Sequence, residues 1–287
     1  MKNQSNLRPL LELHFAMLCI GTSGALGRFI ALPPPLTIWW RALFALLFLG
    51  IYCQWKGFSF RLGSKRDSGL ILGTGVLMAA HWVTYFYALQ LSNVAIGMLS
   101  LFTYPVMTAL LEPLILKTRL YAQQLLLAAL VLLGIFFLVP NFDLSNNVSQ
   151  GLLIGLLSAF VYSIRNIILK TKVSSFNGSI LMFYQMLVTI VLLSPVLHFY
   201  SSNQVNDFLF PIITLGLVTT AIGHTLFLNS FKHFSVSTAS IMSSVQPIYG
   251  IIIAVIFLQE YPSWQSLIGG GLILLAVVLE QTRAKVQ

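Results

Sequence analysis

The side chains able to do chemistry in this chain are few, and most of them stand inside long apolar runs. Arg28, Arg41, Arg165, His81, His224, Glu12 and Glu112 are the ionisable candidates by position. In hydrocarbon such a group costs several kcal/mol unless it is paired or faces a water-filled cavity, so each is a candidate for function. A guanidinium held in a vestibule takes a carboxylate by two parallel hydrogen bonds. Arg41 follows Trp39 and Trp40, an indole pair that serves either as an interfacial anchor or as a pocket wall. The competing reading for Arg28, Arg41 and Arg165 is snorkelling to the headgroups, which for Arg165 is the stronger expectation.

The two histidines stand near mid-run. An unperturbed imidazole titrates close to physiological pH, which suits a proton-carrying step, although a hydrogen-bonded structural role competes with it. His81 begins the cluster His81-Trp82-Tyr85, in which Trp82 and Tyr85 are three apart and share a helix face. Tyr104-Pro105 and Gln246-Pro247 fall at the midpoints of two runs. A mid-helix proline kinks the helix and frees carbonyls that another helix or water must meet, as a hinge beside a binding site does. The remaining polar or aromatic candidates near this depth are Thr22 and Ser23, Tyr162, Ser163 and Asn166, Tyr184 and Gln185, and Ser243 and Ser244.

These groups need elements to position them. Of the 287 residues 57% are apolar and 8% charged, and the mean hydropathy is +0.87. That composition reads as an all-α, polytopic membrane protein and leaves no room for a sizeable soluble domain. Ten apolar runs follow, near 10–30, 36–54, 69–90, 94–116, 121–139, 150–170, 178–200, 208–230, 235–258 and 263–280. The N-terminal run is read as an uncleaved first helix rather than a secretory signal.

Lys and Arg alternate between connectors. The N-terminus holds Lys2 and Arg8, the second connector Lys56, Arg61, Lys65 and Arg66, and the fourth Lys117 and Arg119. The sixth holds Lys170 and Lys172, the eighth Lys232, and the C-terminus Arg283 and Lys285. Basic loops stay cytoplasmic, so ten spans with both termini in the cytoplasm are expected. The net charge of +9 therefore reports topology and not nucleic-acid binding.

Displacing the chain against itself by 142 residues brings Pro105 onto Pro247, Val94 onto Val236, Leu116 onto Leu258 and Gln123 onto Gln265. Five spans per half is odd, so the second half enters the membrane from the opposite side. Two inverted five-helix repeats, 1–143 and 144–287, make one membrane domain. With the ending Leu258-Gln259-Glu260-Tyr261-Pro262 and the glycines Gly269-Gly270-Gly271, this pattern resembles the drug/metabolite transporter superfamily, and within it the EamA-type exporters of small metabolites. One departure is Leu116-Lys117-Thr118-Arg119, where members often carry an acid after the fourth span.

The resemblance implies a multi-pass inner-membrane transporter working by alternating access, with spans 1–4 and 6–9 around the path. The expected cargo is an amino acid or similar small hydrophilic solute, carried by a monomer or homodimer. Its expected binding residues are His81, Trp82, Tyr85, Tyr104, Gln246, Tyr162, Tyr184, Gln185, His224 and Arg41, with hinges at Pro105 and Pro247. No Asp or Glu stands at mid-depth, so organic cations fit less well than neutral, zwitterionic or anionic solutes. Cys19 and Cys53 lack metal-ligand spacing, and no nucleotide loop or zinc motif is present, so neither a metal nor a cofactor is expected. The rivals are a membrane enzyme acting on lipid through His81, His224 and a carboxylate, and a non-pumping facilitator or sensor of the same fold.

Overall fold

A computed structural model describes residues 7–117, 121–170, 172, 175–230, 232–234 and 243–284. Lys2, Arg119, Val236, Lys285 and the stretch 235–242 of the ninth expected span lie outside the described residues. Among the described residues there is no strand, and the helices are α1 Leu7–Phe29, α2 Pro34–Trp55, α3 Lys65–Leu91, α4 Val94–Leu101, α5 Tyr104–Leu116, α6 Ala122–Leu138 and α7 Asn147–Lys170. They continue with α8 Gly178–Leu193, α9 Val196–Phe199, α10 Leu209–Thr214, a π-helical stretch Leu215–His224, α11 Thr225–Ser230, α12 Gln246–Leu258 and α13 Trp264–Ala284.

Six continuous or nearly continuous stretches are long and apolar enough to cross a bilayer: Arg8–Phe29, Pro34–Trp55, Lys65–Leu91, Val94–Ile115, Asn147–Lys170 and Gln204–Ser230. Four shorter apolar helices stand at Ala122–Leu138, Gly178–Leu193, Gln246–Leu258 and Trp264–Leu279. The chain is a polytopic membrane protein, and its outer surface carries large apolar side chains such as Phe15, Leu126, Phe136, Phe210, Phe257 and Trp264.

Local chemistry sets the helix ends. Pro34 opens α2 in its first turn, where a missing N–H is no loss. The Ser64 hydroxyl accepts from the Asp67 amide at 3.1 Å and starts α3 ahead of the expected residue 69. Asn93 caps α4 through the Ile96 amide at 2.9 Å, and Asn177 caps α8 through the Ser179 amide at 2.9 Å. The seventh expected run, 178–200, is interrupted at Ser194-Pro195, because Pro195 has no N–H to continue the ladder.

The fourth expected run, 94–116, is likewise two helices. Where a kinked helix is expected at Pro105, the chain breaks at Phe102-Thr103, and Pro105 sits in the first turn of α5. Freed carbonyls are taken up locally: the Thr103 hydroxyl donates to Ser100 O at 2.8 Å, and Ser163 of α7 donates to Tyr104 O at 3.0 Å. Helix α12 repeats the motif 142 positions on, with Pro247 in its first turn. Both α5 and α12 are 13 residues long, and each is closed by a left-handed residue, Lys117 and Gln259, at φ 56°.

The principal contacts join α3 to α7, α1 to α12, α2 to α8 and α6 to α13. Helices α6 and α13 touch through glycines: a Cβ on Gly134 would lie 2.8 Å from the Gly269 carbonyl. The interior is polar for a membrane protein. Arg41, Thr74, Ser100, Thr103, Ser158, Ser163, Arg165, Gln185, Thr189, Thr219 and Thr220 are fully buried.

Candidate functional site

At the centre, α1, α3, α5, α7, the π-helical stretch and the start of α12 surround a small cavity with about 30 Å³ of space for water-sized molecules. Its walls are aromatic and polar, and include Ser23, His81, Trp82, Tyr85, Phe102, Tyr104, Tyr162, His224, Ser243 and Gln246. The junction of α4 and α5 and the start of α12 open here. Tyr104, the first residue of α5, and Ser243, just before α12, meet through their hydroxyls at 2.9 Å.

Helix α3 supplies the central cluster. The His81 ring stacks on Tyr162 of α7 at 4.3 Å between centroids, and Tyr162 meets Tyr104 edge-on at 4.9 Å. His81 Nδ1 lies 2.8 Å from Ser158 Oγ, while the same hydroxyl donates to the His81 carbonyl at 2.8 Å. With its proton spent on the carbonyl, Ser158 acts as acceptor, so Nδ1 carries the imidazole hydrogen and Nε2 is left as the acceptor. Ser158, which orients His81, had no signal in the sequence beyond being one serine among several on its run.

Behind Trp82 stands Arg41, fully buried, its guanidinium carbon 3.9 Å from the centre of the indole face. Its Nε donates to Thr220 Oγ1 at 2.8 Å, Nη2 to Thr219 Oγ1 at 3.1 Å and Nη1 to Ser23 Oγ at 3.4 Å. The π winding makes this cradle. Both threonine hydroxyls donate to the one Leu215 carbonyl, at 2.5 and 2.9 Å, so both oxygens are left facing the guanidinium as acceptors. Neither the winding nor the cradle was visible in residue spacing.

Arg165 is the second buried guanidinium, and here the structure corrects the snorkelling expectation. It is fully buried, with Nε and Nη2 on Gln185 Oε1 at 3.1 and 2.7 Å and Nη1 on Asn166 Oδ1 at 2.9 Å. Its guanidinium carbon is 5.6 Å from the centre of the Tyr162 ring. Arg28 does not reach freely to headgroups either: its Nε holds Glu260 Oε1 at 2.6 Å.

Of the expected binding residues, His81, Trp82, Tyr85, Tyr104, Tyr162, His224 and Gln246 line the cavity. Arg41 and Gln185 do not: Arg41 stands directly behind Trp82, and Gln185 a layer further out, behind Arg165 and Tyr162. Tyr184 is elsewhere: its phenol donates to the Phe60 carbonyl at 2.5 Å and anchors the segment between α2 and α3. Pro105 and Pro247 adjoin the wall residues Tyr104 and Gln246. Among the described residues no group of His, Cys, Asp and Glu has the arrangement of a metal site.

Two ion pairs lie beyond the cavity in opposite senses along the chain. Arg28, near the C-terminal end of α1, pairs with Glu260 just past α12; Lys170, the last residue of α7, pairs with Glu112 of α5. The residues at 28 and 170 are 142 positions apart.

The model of the EamA-like transporter family matches this chain twice, over residues 10–139 and 149–280. An uncharacterized transporter of Bacillus subtilis, YxxF, is 22% identical over 96% of this chain and 89% of its own length. An uncharacterized transporter of Archaeoglobus fulgidus is 26% identical over 75% of this chain and 77% of its own. The pseudopaline exporter CntI of Pseudomonas aeruginosa is 22% identical over 88% of each chain. A solved crystal structure superposes with a TM-score of 0.68 at 17% identity, covering 95% of this chain and 96% of its own, a likeness of fold.

Proposed function

The chain belongs to the EamA-like transporter family, and we propose that it is a secondary transporter exporting amino acids or similar small hydrophilic solutes across the inner membrane by alternating access. The carrying observation is the central cavity, where the broken helices α4–α5 and the start of α12 bring Tyr104, Ser243 and Gln246 together with His81 and Tyr162. Half-helix ends meeting at a midplane site are how inverted-repeat transporters hold a solute.

In this reading the chain has ten spans in two inverted repeats, 1–143 and 144–287, with both termini cytoplasmic. The double match of the family model supports the division, and the paired geometry of α5 and α12 agrees with it. The ion pairs fit the orientation. Alternating spans place Arg28 and Glu260 together on the outer side, and Lys170, Glu112, Lys172 and Asp67 together on the inner side. The cavity between the two sides is then an occluded form of the site, with latches engaged above and below it. Pro105 and Pro247 stand where the half-helices turn against each other.

The relatives named above are called transporters, which favours transport over chemistry on lipid. The enzyme reading also needs a carboxylate beside His81 or His224, and among the described residues Glu12, Asp67, Glu112 and Glu260 are engaged with Arg8, Lys172, Lys170 and Arg28.

The test is counterflow in proteoliposomes with a mixture of labelled amino acids and organic acids, with and without a pH gradient. Saturable flux that Gln246→Ala and Tyr104→Phe reduce at least about tenfold supports the site, a loss of the size a buried hydrogen-bonding group supplies. Undiminished flux in both variants removes the site assignment. No flux of any solute through folded protein removes the transport reading.

A further inference from the structure

Two guanidiniums buried in a membrane protein need counter-charge, and the described residues do not provide it. Arg41 and Arg165 are both wholly buried, and every hydrogen bond they make goes to a neutral group: Ser23, Thr219 and Thr220 for one, Gln185, Asn166 and the Met182 sulfur for the other. Among the described residues no carboxylate lies within 4.0 Å of either. Of the six acids whose side chains are described, four are spent on Arg8, Arg28, Lys170 and Lys172, Asp143 is held by Ser145, and Asp207 is exposed. Neutral acceptors satisfy N–H groups but leave two positive charges in a low-dielectric core, an arrangement that persists where an anion completes it.

Both charges flank the cavity. Arg41 stands against Trp82 and Ser23, Arg165 beside Tyr162, and all three of those residues are cavity wall. The wall also holds polar atoms with no protein partner: the Tyr85 hydroxyl and His224 Nδ1, on side chains at least nine-tenths buried. A cationic solute would meet two buried positive charges beside this wall, and Arg41 already covers one face of the Trp82 indole, a natural seat for an ammonium.

Resting on the transporter reading above, we propose that the transported solute bears two carboxylates, for which Arg41 and Arg165 are the counter-charges and Tyr85 a hydrogen-bond donor. This narrows small hydrophilic solutes to dicarboxylic acids and acidic amino acids. It also makes the transported form net negative, so flux responds to membrane potential unless cations travel with it.

The experiment is counterflow by the full-length chain in proteoliposomes with labelled succinate, glutamate, alanine and putrescine as probes. Saturable flux of succinate or glutamate, exceeding alanine by at least about tenfold and with putrescine excluded, is the expected result, the discrimination two enclosed positive charges beside the cavity supply. Arg41→Lys and Arg165→Lys, which keep the charge but lose the planar fork, should raise the KM for the preferred dicarboxylate several-fold. Since either variant can fold poorly, the wild-type protein in detergent supplies a second reading: succinate or glutamate raises its unfolding temperature and putrescine does not. Flux of alanine or putrescine with both dicarboxylates excluded overturns this proposal and leaves the transporter reading intact. Flux of none of the four through folded protein overturns it along with transport of these solutes.

Discussion

Near the end of α1, Arg28 grips Glu260; 142 residues further on, at the end of α7, Lys170 pairs with Glu112. The two basic residues are 142 positions apart, but their acid partners, Glu260 and Glu112, do not correspond, and the chemistry differs. Glu260 is held from two directions, by Arg28 at 2.6 Å and by the Val94 amide in the first turn of α4 at 3.0 Å. Arg28 also donates to the Gln90 carbonyl at 2.7 Å, and the Gln90 amide donates to the carbonyls of Ile30 and Leu32 at 3.0 and 2.8 Å. One carboxylate therefore ties α1, α3, α4 and the end of α12 together, at a helix N-terminus that itself favours negative charge. The second pair is a lysine on a carboxylate, with the separate pair Lys172–Asp67 near it in the chain. Its side chains are 42% and 29% exposed, against 34% and 24% in the first pair, so solvent weakens it further. The lesson is that the two contacts differ in kind: linked hydrogen bonds around one carboxylate, separate ion pairs at the other.

The sharpest way to break this contrast is Glu260→Gln. It leaves Arg28 without its counter-charge, and the closed form at that end should weaken by roughly 2 kcal/mol, the value of a charged hydrogen bond in a partly buried place. A cysteine placed at Leu32, which is buried here, in a background lacking Cys19 and Cys53, should then react faster with a membrane-impermeant thiol reagent. An unchanged rate would show that the network does not hold this end shut. Gln90→Ala removes the second layer of the same network while keeping the ion pair, and about 1 kcal/mol is expected from the same assay. If it matches Glu260→Gln instead, the network acts as a single unit.

Glu112→Gln at the opposite end should cost less than about 1 kcal/mol, as exposed pairs do. It should shift the unfolding temperature in detergent only slightly, and added salt should reduce the difference from wild type. A larger effect than that of Glu260→Gln would invert the comparison. The smallest change is expected from Lys170→Arg, a few tenths of a kcal/mol gained from a guanidinium fork on Glu112, read as a slower exchange rate in counterflow.

Much of the architecture was legible beforehand for a plain reason. Apolar runs and the prolines at 105 and 247 act over a turn or so of helix, within reach of sequence spacing, whereas the caps Ser64, Asn93 and Asn177 were found only in the structure. The break at Phe102-Thr103 was misread as a kink because proline marks where the ladder fails and not how the chain responds. In the site, the wall residues His81, Trp82, Tyr85 and Tyr104 were readable as rare polar or aromatic groups in apolar runs. Arg165 was not, because a long basic side chain near a helix end can reach outward or inward, and Gln185 and Asn166, which hold it inside, only meet it through packing. Tyr184 looked equivalent to its neighbours in composition, yet it belongs to a connector anchor.

By itself the amino-acid order determined that this chain lives in a membrane, roughly where its apolar runs lie, and that its two halves resemble each other, since hydropathy acts locally. The tertiary structure alone decided which polar groups share a cavity, that two guanidiniums are enclosed with no carboxylate among the described residues beside them, and that Glu260 joins a network while Glu112 and Asp67 make separate pairs. Those facts depend on the facing of helices far apart in sequence, where a rotation by one residue would send the same side chains into lipid.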